Sequence, residues 1–477
     1  MGISTVAVHS EVDAKAQHVL VADEAILLGG DEPAESYLNQ EKIIEAALST
    51  GAQAVHPGYG FLAENGAFAK LCDQKGIKFI GPSGEVLEAA GDKIGARKMA
   101  HAAGVPVIPG NMDVGGDVSR LIQKAEEVGY PVMVKAVAGG GGKGMRLVGR
   151  REDLVEALER AQSEAQSAFG DGSLYIEKCI ADPRHVEVQI LADEHDNVLH
   201  LWERECSIQR RHQKIIEEAP SPAVDVFLRK RLTEAAVAVA RAVGYRGAGT
   251  VEFLLESNGS FYFMEVNARL QVEHPVTELI VGLDLVEQQL RIAAGEKIAM
   301  RQQDVRLGGH AIECRIYAED PEADFMPSPG RIRALHVPAG PGVRFDSGVE
   351  SGNEVPVHYD PILGKLVVWG PDRERAARRM ARALSEMAIL GVKTPIGFLL
   401  EIVESEPFKN GETSTGFLQK HFNNWRPKPE RVQAALLGWV VAELEGDAEP
   451  QPATTGIQAA EVYDPWASLG RWRMGEE

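Results

Sequence analysis

Residues 249–269 read GTVEFLLESNGSFYFMEVNAR, two alternating runs that flank Asn258-Gly259. An Asn-Gly pair in that setting signals a β-hairpin. With a two-residue loop Ser257 faces Ser260, and counting back along both strands sets Glu252 opposite Glu265. Two carboxylates about 5 Å apart repel by roughly 3 kcal/mol at an effective dielectric near 20, and like charges facing across a sheet destabilise it. A divalent cation held by both removes that cost, and Asn267, on the same face, adds a third oxygen. Hard oxygen ligands select magnesium, or manganese, rather than zinc. The alternative is an exposed hairpin whose acids splay into water, but its other face is strongly apolar.

The polar face continues past the hairpin. Glu265, Asn267, Arg269, Gln271 and Glu273 alternate with Val266, Ala268, Leu270 and Val272. If this segment stays extended, one side of it presents acid, amide, cation, amide and acid in turn, as the floor of an active site would. A second chemical stretch is KAVAGGGGKGMRLV, residues 135–148. Strand-like sequence on both sides makes Gly139–Gly144 the tip of a hairpin rather than a dinucleotide or Walker loop, which would need a following helix or a Ser/Thr after Lys143. Bare backbone amides with two lysines suit a movable cover over a triphosphate. A third stretch, SIQRRHQKIIEEAP at 207–220, gathers Arg210, Arg211, His212 and Lys214, a set suited to bicarbonate or phosphate.

The elements that must position these residues are α/β in kind. The chain opens on strand-like GISTVAVHS, then repeats helix and strand at 41–60 and 67–82, which argues for a parallel, doubly wound first domain. Helical periodicity marks 92–104, 151–170 and 372–387, and a helix at 430–444 precedes a Pro/Gly/Thr-rich linker at 446–456. At 477 residues about three domains are expected. A net charge of −20 speaks against a nucleic-acid partner, and no run approaches the ~18 apolar residues that span a bilayer. Cys72, Cys179, Cys206 and Cys314 form no CxxC pair, which fits free thiols in a reducing, cytoplasmic compartment.

Taken together, HPGYGFLAEN (56–65), KAVAGGGGKGMR (135–146), PRHVEVQ (183–189), RRHQKIIEEAP (210–220), GTVEF (249–253), MEVNARLQVEHPVTE (264–278) and ECRIYAEDP (313–321) closely resemble the biotin carboxylase component of biotin-dependent carboxylases. The resemblance spans nearly all of 1–425, and RIYAEDP and VHYDPILGKLVVWG look most like the α subunits of acyl-CoA carboxylases of the methylcrotonyl- or propionyl-CoA type. It implies an ATP-grasp fold with an N-terminal domain over 1–91 and an ATP-grasp domain over 92–308, whose lid lies at about 108–180. A C-terminal biotin carboxylase domain over 309–425 and a helix, linker and truncated further segment over 426–477 complete it. It implies MgATP-driven activation of bicarbonate as carboxyphosphate, followed by carboxylation of biotin on a carrier protein or domain that serves a carboxyltransferase β subunit. A homo-oligomer is expected.

By the same resemblance, Lys93, Lys135 and the loop of Gly139, Gly140, Gly141, Gly142, Lys143 and Gly144 would hold ATP phosphates. Glu177, Lys178 and Ile180 would line the adenine pocket, and His185, Gln209 and His212 would contact ribose and phosphates. Glu252, Glu265 and Asn267 would hold magnesium. Lys214, Arg269, Gln271 and the Val272 backbone would bind bicarbonate, Glu273 would be the base, and Arg315 would stabilise the enolate of biotin. Another ATP-grasp carboxylate ligase, or a non-catalytic subunit, shares part of this pattern.

The sequence departs from the family at both ends. Met1 falls where the family has its second strand, so the first strand and helix are missing and a chain from Met1 is expected to be poorly stable, unless its start lies upstream. No Ala-Met-Lys-Met motif occurs, so the biotin would sit on a separate carrier or on a longer form of this subunit.

Overall fold

Strands of alternating apolar and polar residues build the centre of the protein. A computed structural model describes residues 1–111, 118–137, 145–211 and 213–427. Its largest element is an eight-stranded antiparallel sheet. In chain order the labelled strands are β1 (Val6–Ser10), β2 (Glu24–Gly29), β3 (Ala54–Val55), β4 (Lys78–Phe79), β5 (Val132–Ala136), β6 (Met145–Val148), β7 (Leu174–Lys178), β8 (Arg184–Ala192), β9 (Val198–Arg210), β10 (Gln213–Ala219), β11 (Gly247–Leu255), β12 (Phe261–Asn267), β13 (His310–Tyr317), β14 (Val343–Ser347) and β15 (Ile362–Gly370). The large sheet runs β12-β11-β8-β9-β10-β13-β15-β14.

Period-two alternation gives this sheet two different faces. Val186, Val188, Ile190, Val251 and Phe253 enter a core with Leu232, Ala236 and Val239 of a long helix, Val226–Ala242. Further along, Ile312, Cys314, Ile316, Leu366 and Val368 pack with Ala376, Met380 and Leu384 of the helix Arg373–Glu386. The residues between them on the same strands, Glu187, Gln189, Glu252, Glu313, Arg315 and Lys365, are polar and buried. Burying that many charges costs far more than it returns unless they pair, so the opposite face is where chemistry is to be sought.

A separate three-stranded sheet, β6-β5-β7, is antiparallel throughout and packs on the helix Leu154–Phe169. Lys135 pairs with Met145 across β5 and β6, which is the hairpin expected around the glycine run. Residues 139–144 themselves lie outside the described residues, as do His212 and the segment 428–477 with its expected helix. At the N-terminus β1 pairs with β2 and β3 with β4, both parallel as expected, in two separate two-stranded sheets. The helices Gln40–Thr50 and Gly66–Gln74 start on Asn39 and Asn65, each side chain accepting from the third backbone N–H beyond it.

The expected boundary at 308 is crossed by pairing of β10 with β13, from Ile216–Cys314 to Ala219–Ala311, so one sheet joins the middle and last thirds of the unit Met1–Trp425.

The Asn-Gly hairpin differs in detail from the two-residue turn expected. Gly259 N–H donates to the Glu256 carbonyl and Gly259 has φ +82°, the left-handed conformation that glycine adopts without strain. Glu256 N–H bonds Ser260, so the loop is three residues long and Leu255 pairs with Phe261, one residue out of the expected register. A bulge at Met264 then restores it, and Glu252 does pair with Glu265, Val251 with Val266 and Thr250 with Asn267.

Candidate active site

The polar face converges on Lys214. Its Nζ lies 2.5 Å from Glu187 Oε2, 2.8 Å from Glu252 Oε1 and 2.7 Å from Glu273 Oε1, three carboxylates from β8, β11 and the turn before the helix His274–Val281. Burial opposes the charge, but these acids hold the ammonium well above the usual lysine range. Glu187 also takes Arg204 Nε at 2.5 Å, and Arg204, fully buried, reaches Gln189 Oε1 at 2.6 Å and Thr277 Oγ1 at 2.9 Å. Each charge is thus tied to at least one opposite charge, which is what makes the burial tolerable.

Burial would raise Glu273, yet Lys214 and Arg315 hold it far below the usual carboxylate range. Arg315 Nη2 donates to Glu273 Oε2 at 2.9 Å while its Nε donates to Glu217 Oε1 at 2.6 Å. Gln271 reaches back from the turn to Thr250 Oγ1 at 3.0 Å and Glu252 Oε1 at 3.4 Å. Arg269 donates to Gln271 Oε1 at 3.0 Å and is fixed from the N-terminal part by Glu64, 3.1 Å from its Nε.

Around the carboxylate pair, His185 Nε2 lies 2.9 Å from Glu252 Oε2, and Gln209 Nε2 is 2.7 Å from His185 Nδ1. Lys214 and His185 outweigh burial and keep Glu252 well below the ordinary value, whereas burial and the facing Glu252 charge push Glu265 up. Lys93, at the start of the Asp92-capped helix Lys93–Ala102, is the strongest cationic influence on Glu265. Glu265 is therefore the carboxylate short of positive charge. With Asn267 beside it, the donor set is oxygen throughout and fits magnesium.

Not every expected residue joins this site in the way foreseen. Glu177 is buried, its carboxylate against Arg97 Nη1 at 2.9 Å and Lys135 Nζ at 2.5 Å. Lys178 Nζ donates to the carbonyls of Gly129 and Tyr130, and Ile180 is half-buried beside Cys179. The basic cluster does not act together. Arg210 is paired with Glu319 and Arg211 with Asp324, so among the described basic residues of that stretch only Lys214 enters the polar centre. Nor does 265–273 stay extended, since β12 ends at Asn267 and the chain turns at 272–273. Hydrogen bonds of Arg269 to Asn267 and Gln271, and of Gln271 to Glu252, rather than strand geometry, link Asn267, Arg269 and Gln271 to the acid face.

Sequence reasoning passed over Glu187, Arg204, Glu64, Glu217, Glu313 and Lys365. Glu187 and Gln189 alternate with Val186 and Val188 in PRHVEVQ, the same signal that exposed Glu252, but nothing in the sequence shows which strand lies beside it.

Three family models match the chain in succession: biotin carboxylase N-terminal domain over residues 1–87, carbamoyl-phosphate synthase L chain ATP binding domain over 92–301, and biotin carboxylase C-terminal domain over 313–420. Biotin carboxylase of Nostoc is 54% identical over 420 residues, covering 88% of this chain and 94% of that protein. The α subunit of mitochondrial methylcrotonoyl-CoA carboxylase from Dictyostelium discoideum is 47% identical over 474 residues, covering 99% of this chain and 67% of that protein. Among solved structures, the biotin carboxylase domain dimer of Hydrogenobacter thermophilus 2-oxoglutarate carboxylase, in complex with MgADP, ADP and bicarbonate, superposes with a TM-score of 0.87. It is 47% identical and covers 90% of this chain and 94% of that one.

Proposed function

Because this chain belongs to the biotin carboxylase family, an ATP-dependent ligase that carboxylates biotin with bicarbonate, we propose that the turn 271–273 and the Lys214 hub form its bicarbonate site. One observation carries this reading. A single ammonium, Lys214, touches both Glu252, of the facing acid pair, and Glu273, of the turn, so the residues that would hold metal, anion and base meet around one atom.

In this reading Lys214, Arg269, Gln271 and the Val272 N–H hold bicarbonate by fixed donors, which stabilise developing negative charge without reorganisation. Glu273 takes the bicarbonate proton. As it stands, Glu273 is a weak base because Lys214 and Arg315 both grip it. An arriving anion competes for those two cations, and their release raises the basicity of Glu273 when it is needed. The freed oxyanion would attack the γ-phosphorus as ADP departs; the carboxyl group of carboxyphosphate would then pass to the ureido nitrogen of biotin, inorganic phosphate leaving with the ureido N–H proton, and Arg315 would stabilise the enolate form of biotin. Glu252, Glu265 and Asn267 would hold magnesium, which offsets charge on the transferring phosphate. Lys93, Lys135, His185 and Gln209 would face the nucleotide, and Gly139–Gly144 with Lys143 and His212 would complete that side.

We place the chain in the first half-reaction of an acyl-CoA carboxylase, acting with a biotinyl carrier and a carboxyltransferase β subunit, as a cytoplasmic homo-oligomer. Support comes from the match of 99% of this chain to 67% of the Dictyostelium α subunit, the dimer in the Hydrogenobacter structure and four free cysteines. No described helix is long and apolar enough to cross a membrane.

The test is ADP release by purified protein with MgATP. Release that requires bicarbonate and rises with free biotin is expected; release supported by a different carboxylate in place of bicarbonate would point to another ATP-grasp ligase.

A further inference from the structure

Lys365, on β15, is buried to 4% exposure and has no carboxylate oxygen within hydrogen-bond distance among the described residues. Its nearest acid is Asp346, 4.0 Å away and already held by Arg344 through two bonds of 2.7 Å. The ring of Tyr59 lies 5.6 Å from its Nζ. Burial lowers its affinity for a proton. A buried ammonium without a close counter-ion is costly and persists only where something requires it. What its Nζ does contact is the carbonyl of Val272 at 2.5 Å and, at 3.5 Å, Nδ1 of His274.

The position is set by register. Lys365 pairs directly with Arg315 across β13 and β15, so two cations stand side by side on the site face. Like charges so placed repel. They nevertheless grip successive residues of one turn: Arg315 holds the Glu273 carboxylate at 2.9 Å and Lys365 holds the Val272 carbonyl. We propose that Lys365 is a positioning residue for the anion site, clamping the Val272 carbonyl from the C-terminal sheet so that the Val272 N–H, Gln271 and Glu273 face bicarbonate together. This rests on the reading of 271–273 as the bicarbonate turn.

The obvious alternative is charge balance. Lys365 lies near Glu313, whose two oxygens are buried and have no hydrogen-bond partner among the described residues, and which faces Glu217 across β10 and β13. A lysine serving only to neutralise those acids would affect folding and leave substrate affinities alone. Steady-state ADP release separates the two roles, measured while varying bicarbonate at saturating MgATP and then varying MgATP at saturating bicarbonate. Lys365→Met is expected to raise the bicarbonate KM by on the order of ten-fold, the worth of a hydrogen bond from a charged group. The MgATP KM should stay within about two-fold, and Lys365→Arg should recover part of the loss. A bicarbonate KM unchanged in folded Lys365→Met protein, or both KM values rising together, overturns the proposal, and Lys365→Gln, which also removes the charge, gives the same reading should the Met variant not fold. If the unaltered enzyme binds and uses MgATP without any need for bicarbonate, the turn assignment falls and this proposal with it.

Discussion

Glu217 and Glu313 repeat, on β10 and β13 of the same sheet, the arrangement that drew attention to Glu252 and Glu265: two acids directly opposite each other in a buried sheet. The two pairs resolve the conflict differently. Glu252 draws Lys214 and His185, whereas Glu217 takes Arg315 and Glu313 takes nothing among the described residues. Burial therefore pushes Glu217 up to about 7 despite Arg315, and raises Glu313 well above its ordinary value despite Lys365. An acid with a raised folded value retains a proton that the unfolded chain releases above about pH 4.5. The stability this contributes is full below that pH and is lost as pH rises toward the folded value. Glu313→Gln removes the titration while keeping the shape. Between pH 5 and pH 8 the variant should gain about 1–3 kcal/mol relative to the parent. Thermal melts across that range would show it, and a constant offset would contradict it. The sequence offered no warning of this pair, because Glu217 and Glu313 are far apart in the chain and meet only through the β10–β13 register.

At the scale of elements, local pattern was the legible part. The helices Gln40–Thr50, Gly66–Gln74, Lys93–Ala102, Leu154–Phe169 and Arg373–Glu386 coincide with stretches whose pattern is helical in the sequence. The hairpin pairing of Glu252 with Glu265 was also correct, though its derivation held only through two offsetting one-residue shifts, the three-residue loop ending on Gly259 and the bulge at Met264. Neither shift is encoded by alternation, which is blind to an extra unpaired residue. The basic run 210–214 shows the opposite failure. Its spacing suggested a joint anion site, but the end of β9 and the start of β10 turn its side chains to different neighbours. Arg211 is exposed and pairs with exposed Asp324. Arg211→Ala should thus shift stability by no more than about 0.5 kcal/mol, the usual range for surface pairs. Bicarbonate-dependent ADP release should stay within about two-fold, and a larger loss would restore Arg211 to the site.

Across the whole molecule, the eight-stranded sheet binds together what the sequence divides. Ile208, Ile215 and Ile216 share a core with Ile312, Cys314 and Leu366, on the far side of residue 308. Glu273 and Val272 are held by Arg315 and Lys365 from that same far side. A site built across a continuous core cannot unfold in halves, so calorimetry should show the middle and C-terminal parts melting in one transition. Two resolved transitions would mean the sheet does not couple them. The order of strands, and hence which buried acids and bases meet, is a property of the assembled sheet that pattern reading does not reach. The claim on which the rest depends is that Lys214 joins metal pair, anion and base. Transfer of labelled carbon from bicarbonate to free biotin tests it most directly, run with MgATP on the parent chain and on Lys214→Met. Label should appear in biotin only when ATP is present, and the variant should transfer on the order of a hundred-fold less or nothing. Label transfer by Lys214→Met at the parental rate, or none by a parent chain that still consumes ATP with bicarbonate, would contradict it.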